Sequence, residues 1–261
     1  MGSFYKSVGE GTFEALSATA GPWGPQFQHA GPVSALLVKT IEDKHVTVDQ
    51  RIGRVAVDVL APVPVAPIDV VTSVVRPGKR TALFEATGYS DGRAVICVRA
   101  WRFTRIGGDY PTTDDPAPQS VAEAPAGSDG GYPPTAYVDG YFRSTEFRFV
   151  RGGFAELGSA AAWARSGCTL LPNEPLSPWQ SVLILADSSH GMSVVAPPGQ
   201  YPSINVDLTV VLHRDPVGEW IHIDSTTRTT RHGGASNYGQ LSDQIGLIGT
   251  CTQTLYATVS P

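Results

Sequence analysis

The chain has 261 residues, of which 41% are hydrophobic and 16% are charged, and its formal net charge is -5. This length allows one large domain or two of ordinary size, and the hydrophobic content is sufficient for a buried core. The acidic balance argues against nucleic acid as a partner, because phosphate binding needs clustered Lys and Arg.

Several other classes of protein are also disfavoured by the sequence. No apolar run approaches the ~20 residues that cross a bilayer, and the opening MGSFYKSVGEG lacks the charged and then apolar order of a signal peptide. We therefore expect a cytosolic protein without a membrane span. Cys97, Cys168 and Cys251 are widely spaced and form no CxxC pair. Neither a disulfide framework, nor a metal site, nor a cofactor is predicted.

The first half of the chain predicts a strand, a helix and four more strands. Residues 11–20 have strand character, and the nearly all-apolar AGPVSALLVKTI predicts a helix directly after loop-forming residues. Such a helix must be wrapped, because its whole surface is apolar. Apolar alternation predicts the four strands at 54–60, 68–75, 82–89 and 93–105.

A segment rich in Pro, Gly, Asp and Ser then interrupts the pattern, and the same order of elements follows it. We predict a linker over residues 106–140, between an N-terminal unit at 1–105 and a C-terminal unit at 141–261. The second unit is predicted to contain extended segments at 146–152 and 159–166, a buried helix at 177–189, and strands at 204–214, 219–228, 235–241 and 245–259.

An offset of 152 residues superimposes the two four-strand blocks and predicts a duplication. On this offset Gln253 corresponds to Trp101. When the two helices are matched separately, Asp187 falls where the first helix carries Thr40 or Ile41, depending on a one-residue choice of register. The second half is then polar where the first is bulky or aliphatic, so we expect one site per chain. The matched pairs are Leu60 with Leu212, Arg76 with Arg228, Asp91 with Asp243, Val95 with Leu247, Ile96 with Ile248 and Phe103 with Leu255.

The chain resembles the acyl-CoA thioesterase II family and its actinobacterial relatives from roughly residue 10 to 258. The resemblance is carried by HAGPVSALL, RVAVDVLAPVP and VVRPGKR in the first half, and by LADSSHG, INVDLTVVLHR, EWIHIDST and TCTQTLYA in the second. It implies an α+β double hotdog, in which two curved antiparallel sheets each wrap a central helix and join as a pseudo-dimer. It also implies an acyl-CoA or acyl-carrier thioester as substrate, and it allows further homo-oligomerisation.

The resemblance further implies three catalytic positions. In that family a water is held by an Asp late in the second helix, a Thr or similar residue on the next strand, and a Gln on the last strand. These positions match Asp187 in LADSSHG, Asn205 by counting back from His213 and Arg214, and Gln253 in TCTQTLYA. Asn205 departs from the pattern because it offers no hydroxyl, although its amide can orient a water. The implied reaction is thioester hydrolysis by water activated by Asp187.

The residues themselves add two expectations about this site. Gln253 shares a strand face with Cys251 and Leu255, so its amide needs polar partners unless it is wetted at a sheet edge. Asp187 ends an apolar helix, where the helix dipole and burial should raise its pKa, unless it serves only to end the helix. His190, which follows in SSHGMS, is expected to be a loop histidine.

The start of the first helix suits an oxyanion, because unpaired backbone N–H groups lie there. Gly31 would let a ligand approach the backbone closely, and His29 would either donate to the thioester or cap the helix. Around TRHGG, basic residues and glycine would either contact phosphates of coenzyme A or form a flexible turn. The residues predicted for this second contact are Arg228, Arg231 and Gly233.

A non-catalytic acyl-binding module on the same scaffold is the alternative function. It would keep an acyl tunnel while the water-holding residues decay, and the Asn at position 205 is consistent with such decay. Other catalytic classes find no support, because the sequence contains no GxSxG elbow, no Cys set beside a His, and no Asp/His motif of the hydratases.

Overall fold

The computed structural model describes residues 2–113, 127–133 and 136–260, and strands dominate it. The helices are α1 (Ala30–His45), α2 (Pro178–Ala186) and α3 (Ser189–Met192). The strands of the first half are β1 (Gly2–Ser3), β2 (Tyr5–Gly9), β3 (Thr12–Ala15), β4 (Gln50–Val59), β5 (Pro67–Arg76), β6 (Thr81–Ser90) and β7 (Arg93–Thr104). Those of the second half are β8 (Thr145–Arg151), β9 (Ala160–Ser166), β10 (Cys168–Thr169), β11 (Ser203–Asn205), β12 (Asp207–Leu212), β13 (Ile221–Thr229), β14 (Gly234–Ser242) and β15 (Leu247–Ala257).

One antiparallel sheet runs through both halves of the chain. Its strand order is β2-β3-β5-β6-β7-β4-β12-β15-β14-β13-β9-β8, with β11 also paired to β15. The halves meet where β4 pairs with β12, for example at Val55 and Val210. Outward from this junction, each half contributes six strands in the same topological order. The predicted repetition of elements is therefore confirmed.

The register of the strands corrects the predicted offset between the halves by one residue. The cross-strand partners in β4, β6 and β7 map onto those in β12, β14 and β15 with an offset of 153, not 152. The corresponding pairs are Ala86–Val98 with Gly239–Cys251, and Val57–Val98 with Val210–Cys251.

This correction changes which side chains are equivalent, because a shift of one residue turns a strand side chain to the opposite face. Gln253 corresponds to the buried Ala100, and not to its outward-facing neighbour Trp101. Asn237, which is also buried, corresponds to Phe84. The second half is thus polar inside its sheet at positions where the first half is apolar.

The sheet covers the three helices, as the apolar character of α1 predicts. In the first half, α1 packs on β5, β6 and β7; in the second, α2 packs on β9 and β13, and α3 packs on β13 and β14. The two longer helices also pack against each other. The predicted helix at 177–189 is divided, because α2 ends at Ala186 and a separate turn, α3, begins at Ser189. Asp187 lies at this break.

Two parts of the chain differ from the sequence prediction. The predicted strand at 11–20 is only β3, which is followed by a 3-10 turn, and the preceding residues form β1 and β2. The N-terminal residues contact the second half, since the N–H of Phe4 donates to the carbonyl of Thr169 at 2.9 Å. Of the predicted linker, residues 114–126 and 134–135 lie outside the described residues. Within its described part, the N–H of Tyr137 donates to the carbonyl of Pro22 at 2.9 Å.

Candidate active site

The carboxylate of Asp187 is the centre of the candidate site. Asp187 caps the C-terminus of α2 and is only 6% exposed. Its Oδ1 accepts hydrogen bonds from Asn205 Nδ2 at 2.8 Å and from Gln253 Nε2 at 3.3 Å. Its Oδ2 lies 3.0 Å from His29 Nδ1. The structure therefore brings together the three predicted catalytic residues and the histidine before α1.

The Gln253 amide is held by protein at both ends. Its Nε2 also donates to the backbone carbonyl of Asp187 at 3.2 Å, and its Oε1 accepts from the backbone N–H of His190 at 3.0 Å. The side chain is 2% exposed. The prediction that Gln253 has polar partners is confirmed. These bonds fix the break between α2 and α3, and with it the orientation of the Asp187 carboxylate.

Asn205 is held at one end only. It lies on β11, opposite Leu255 of β15, and its Nδ2 donates to Asp187. None of the described residues donates a hydrogen bond to its Oδ1. Because an amide oxygen has two acceptor positions, Asn205 can still accept from a bound water.

His29 combines a capping position with an ion pair. It is the N-cap of α1, its ring stacks on that of Tyr141 at 3.7 Å, and the Gly31 N–H lies 3.3 Å from its Nδ1. One ring nitrogen cannot both accept from Gly31 and donate to Asp187, so the two contacts belong to different tautomers. The protonated nitrogen favours Asp187, which is the nearer group. The pairing of His29 with Asp187 is absent from the sequence prediction, because no local pattern links two residues so far apart in the chain.

The pKa of Asp187 lies below its ordinary value, so the predicted upward shift is wrong in direction. Burial raises this pKa, but the positive charge of His29 and hydrogen bonds from His29, Asn205 and the backbone of Gly31 together lower it by more. Sequence reasoning included the burial and missed these donors. Asp187 is consequently an anion at neutral pH and can only accept hydrogen bonds.

Gly31 has a packing role in the contact between α1 and α2. A Cβ at this position would lie 2.4 Å from the carbonyl oxygen of Ile184. The close approach that was predicted for a ligand is thus made by the backbone of α2. The equivalent position of α2, two residues after its N-cap Ser177, is Trp179, whose buried indole Nε1 donates to the carbonyl of Ile52 at 3.0 Å.

Asp187 lies in the middle one of three adjoining cavities. The central cavity has a volume of about 210 Å³ and is lined by His29, Asp187, Asn205 and other residues. A second cavity of about 350 Å³ shares Trp23, Ile204 and Asn205 with it. A third cavity of about 520 Å³ adjoins it on the other side, and the residues common to both are His190 and Ser203.

The predicted phosphate contacts are only partly brought together. Arg231 and Gly233 line the third cavity with His232. Arg228 does not line it, so its contact with phosphate stays a prediction. Thr227 and Thr229 both line the cavity, and strand alternation turns the residue between them to the opposite face.

His190 is not the loop histidine that the sequence predicts. It lies in α3, is 7% exposed, and its Nε2 is 2.9 Å from Ser203 Oγ. Burial lowers its pKa. The imidazole is therefore neutral at neutral pH and forms part of the wall between the central and third cavities.

A buried hydroxyl cluster beneath α3 was also missed by sequence reasoning. Ser193 Oγ lies 2.9 Å from Ser225 Oγ and 2.8 Å from Thr227 Oγ1, and Asn237 Nδ2 donates to Ser225 Oγ at 2.8 Å. The cluster anchors α3 to β13 and β14. The sequence does mark this cluster, because its polar residues stand at alternate strand positions. That these positions face inward follows only from the corrected register.

Two protein-family models together match most of the chain. The N-terminal domain model of acyl-CoA thioesterases matches residues 19–103, and the C-terminal domain model matches residues 111–257. The chain belongs to the acyl-CoA thioesterase family. This thioesterase is accordingly an enzyme that hydrolyses thioesters. A search of curated proteins found no match.

Solved structures share the hotdog fold with this thioesterase. A protein of unknown function with a hotdog fold from Alicyclobacillus acidocaldarius has a TM-score of 0.72 and 19% identity, and the match covers 98% of this chain and 96% of the other. The tesB protein of Mycobacterium avium subspecies paratuberculosis has a TM-score of 0.66 and 17% identity, with 97% and 96% covered. The acyl-CoA thioesterase II TesB2 of Mycobacterium marinum has a TM-score of 0.65 and 14% identity, with 98% and 95% covered.

Membrane-spanning helices and metal-binding clusters were both sought in the described residues of the thioesterase. Across residues 2–113, 127–133 and 136–260, no helix is both long enough and apolar enough to span a membrane. Within the same ranges, no group of three or more His, Cys, Asp or Glu side chains is arranged to hold a metal ion.

Proposed function

We propose that this thioesterase hydrolyses acyl-CoA with a water held between Asp187 and Asn205. The observation that carries the proposal is the set of contacts around the carboxylate. Asp187 and Asn205 both line the central cavity, the carboxylate is an anion that only accepts, and Asn205 Oδ1 has no donor among the described residues. Two acceptors beside the central cavity suit the two hydrogens of one water.

The hydrolysis then proceeds by general base catalysis. Asp187 takes a proton from the water as its oxygen attacks the thioester carbon. The tetrahedral intermediate collapses, the C–S bond breaks, and the proton passes from Asp187 to the leaving thiolate, which gives a carboxylic acid and a thiol. The low pKa of Asp187 favours the release of this proton. Gln253 acts as a positioning residue, because both ends of its amide are engaged by protein.

The N-terminus of α1 supplies the donor for the oxyanion in this proposal. The N–H of Ala30, in the first turn of this 16-residue helix, carries no hydrogen bond within the described part of the chain. It lies directly beside His29, which lines the central cavity. The positive end of the helix dipole stabilises a developing negative charge.

The third cavity is the proposed site of the carrier. Arg231 provides positive charge, His232 lies beside it, and Gly233, with φ of 82°, turns the backbone between β13 and β14. Phosphates of coenzyme A would be held there by the arginine and by backbone N–H groups.

We further infer that the thioesterase is a double hotdog, with units at 1–105 and 141–261 and a linker at 106–140. The same strand order on either side of the β4–β12 junction supports this division. The proposed site belongs to both units, since His29 comes from the first and Asp187, Asn205 and Gln253 come from the second.

Replacement of Asp187 by Asn tests the proposed mechanism. We expect kcat/KM for acyl-CoA, followed by release of free thiol, to fall about a thousandfold, since a positioned base contributes about 10² to 10⁴. Asp224→Asn, at a half-buried carboxylate of β13 that lines none of the three cavities, is the matched control and should retain activity. No turnover by the parent with acyl-CoA binding retained would instead identify an acyl-binding module.

A further inference from the structure

Tyr141, which directly follows the predicted linker, is fully buried beside the candidate site, with 0% of its surface exposed. Its backbone N–H donates to the carbonyl of Ala20, in the first half, at 2.8 Å. Tyr141 lines none of the three cavities. Any effect of this residue on the reaction must therefore pass through the groups that its side chain contacts.

The ring of Tyr141 fixes the plane of the His29 imidazole. The two rings are stacked, with their centroids 3.7 Å apart and their planes 2° from parallel. A ring N–H points outward in the plane of its ring, so the stack limits the directions in which His29 can donate. In this orientation Nδ1 of His29 lies 3.0 Å from Oδ2 of Asp187. A side chain without a flat face would leave the imidazole free to tilt away from the carboxylate.

The hydroxyl of Tyr141 bonds to the chain on both sides of Asp187. It donates to the carbonyl of Ile184 at 2.7 Å, and it lies 2.8 Å from Ser188 Oγ. Burial raises the pKa of Tyr141, so the hydroxyl keeps its hydrogen. Because that hydrogen goes to Ile184, Ser188 is the donor in the second contact. These two bonds hold the end of α2, where the Asp187 carboxylate lies.

We infer that Tyr141 is a positioning residue for the base, because its ring orients His29 while its hydroxyl holds the end of α2 at Asp187. This inference rests on the proposed function, in which Asp187 takes a proton from water. A purely structural role would make Tyr141 matter for stability alone. A positioning role links it to the protonation of Asp187, since His29 is the charged partner of the carboxylate.

Among the described residues, His29 is the one positively charged group in contact with Asp187. The other titratable groups that face the carboxylate are neutral at neutral pH, because burial lowers the pKa of His190 and raises that of Cys251 to about 12. The remaining contacts come from amide and backbone N–H groups, in Asn205, Gln253 and Gly31. A change in the orientation of His29 should therefore appear directly in the pKa of Asp187.

Tyr141→Leu removes both the ring and the hydroxyl, so His29 and Asp187 should separate. The acid limb of kcat/KM for butanoyl-CoA should then move to higher pH by about one unit or more, because a positive charge in contact lowers a carboxyl pKa by about 1 to 3. Tyr141→Phe keeps the stack and should leave the limb at the parental pH, although it loses the bond to Ile184. Thiol release from pH 3 to pH 7 measures the limb, and circular dichroism at each pH verifies folding.

Two further variants separate positioning from packing. Addition of Tyr141→Leu to His29→Gln should leave the acid limb where His29→Gln alone places it, since Tyr141 acts through that histidine. Phe84→Leu removes a buried ring of β6 that lines none of the three cavities. This control should lower the melting temperature without moving the limb.

A folded Tyr141→Leu variant with the parental acid limb would overturn the inference and leave the hydrolytic function standing. If Tyr141→Leu does not fold, Tyr141→Phe decides the matter, because a shifted limb in that variant would equally contradict the role of the ring. Absence of turnover by the parent with any acyl-CoA would instead contradict the proposed function.

Discussion

His29 controls the charge at the candidate site through its contact with Asp187. The two side chains are almost fully buried, and their 3.0 Å contact stabilises the carboxylate against protonation. Because the folded-state pKa of Asp187 is lowered, the pair stabilises the fold above the unfolded-state pKa of the carboxyl group. That stability is lost as the pH falls through the folded-state value.

Replacement of His29 by Gln should shift the pH dependence of hydrolysis. Gln can still donate a hydrogen bond but carries no charge, so the pKa of Asp187 should rise and the acid limb of kcat/KM should move to higher pH. The parental limb should lie below the ordinary carboxyl value of about 4. A pH profile from 3 to 7 measures the shift, with circular dichroism at each pH to verify folding. Coincident acid limbs would show that His29 does not set this pKa.

At the residue scale, the sequence could predict the polar set but not its contacts. Asp187 and Gln253 were found because each stands in a motif that resembles the acyl-CoA thioesterase II family, and Asn205 was found by counting back from His213 and Arg214. The pairing with His29 brings the start of α1 next to the end of α2. The periodicity of a sequence does not indicate that two such helix ends are close in space. The direction of the Asp187 pKa shift depends on these contacts, and for this reason it was predicted wrongly.

At the scale of elements, the contact between α1 and α2 positions the site. His29 precedes α1 and Asp187 ends α2, so the distance between the helices sets the distance between the two side chains. Gly31 allows the close contact, because the carbonyl of Ile184 occupies the space of a side chain. The sequence predicted both helices and an unusual glycine, and it did not reveal that a second helix fills the space.

Gly31→Ala should destabilise the fold and weaken catalysis together. The added Cβ would force the helices apart, and overpacking of this kind costs about 1 to 3 kcal/mol. Thermal unfolding and kcat/KM measure the two effects. Gly199→Ala is the control, since a Cβ there meets nothing within 4 Å. Equal unfolding temperatures for the two variants would contradict the packing role.

The C-terminal turn of α1 contains a second carboxylate, the half-buried Glu42. Its oxygens accept from Ser177 Oγ at 2.9 Å and from Gln180 Nε2 at 2.8 Å, at the start of α2. Burial raises its pKa, more than these donors lower it. The contribution of Glu42 to stability therefore falls as the pH rises from the unfolded-state pKa to the folded-state pKa.

Glu42→Gln should remove this pH dependence. The neutral amide keeps the shape of the side chain and carries no charge to bury, so the melting temperature should rise relative to the parent, by an increasing amount from pH 4 to pH 8. Melting curves across this range measure the difference. Glu10→Gln, at an exposed position, serves as the control. A parent that gains stability relative to Glu42→Gln as the pH rises would reverse the expected sign.

At the scale of the whole molecule, each half of the sheet covers an edge strand of the other half. Strands β4 and β12, of 10 and 6 residues, would each be an exposed edge without the other. The fold class and the duplication were predictable, because apolar alternation repeats along the chain. The single-residue error in the offset arose because consecutive apolar residues, such as Val95 and Ile96, can be matched to apolar residues at neighbouring offsets, whereas the register is fixed by hydrogen bonds.

Expression of the halves as separate fragments, 1–113 and 127–261, tests this dependence. Each fragment alone should aggregate or pair with itself through its open edge, and co-expression should yield a soluble complex that releases thiol from acyl-CoA. Size-exclusion chromatography and the thiol assay measure the two outcomes. A lone fragment that is folded, monomeric and active would show that the site does not need both halves.

Gly31 and Trp179 occupy equivalent positions in the two helices but differ greatly in size, which bears on how a chain with two such halves can arise. Ile52, whose carbonyl accepts from the indole of Trp179, is the counterpart of Asn205 on the corrected offset. The space that holds the site on one side is therefore filled by an indole on the other. Two identical half-length subunits would have to encode the same residue at both places, and would have either two sites or none. Glycine at one copy and tryptophan at the other require two distinct half-sequences, and a gene in which the halves are fused supplies both in one chain.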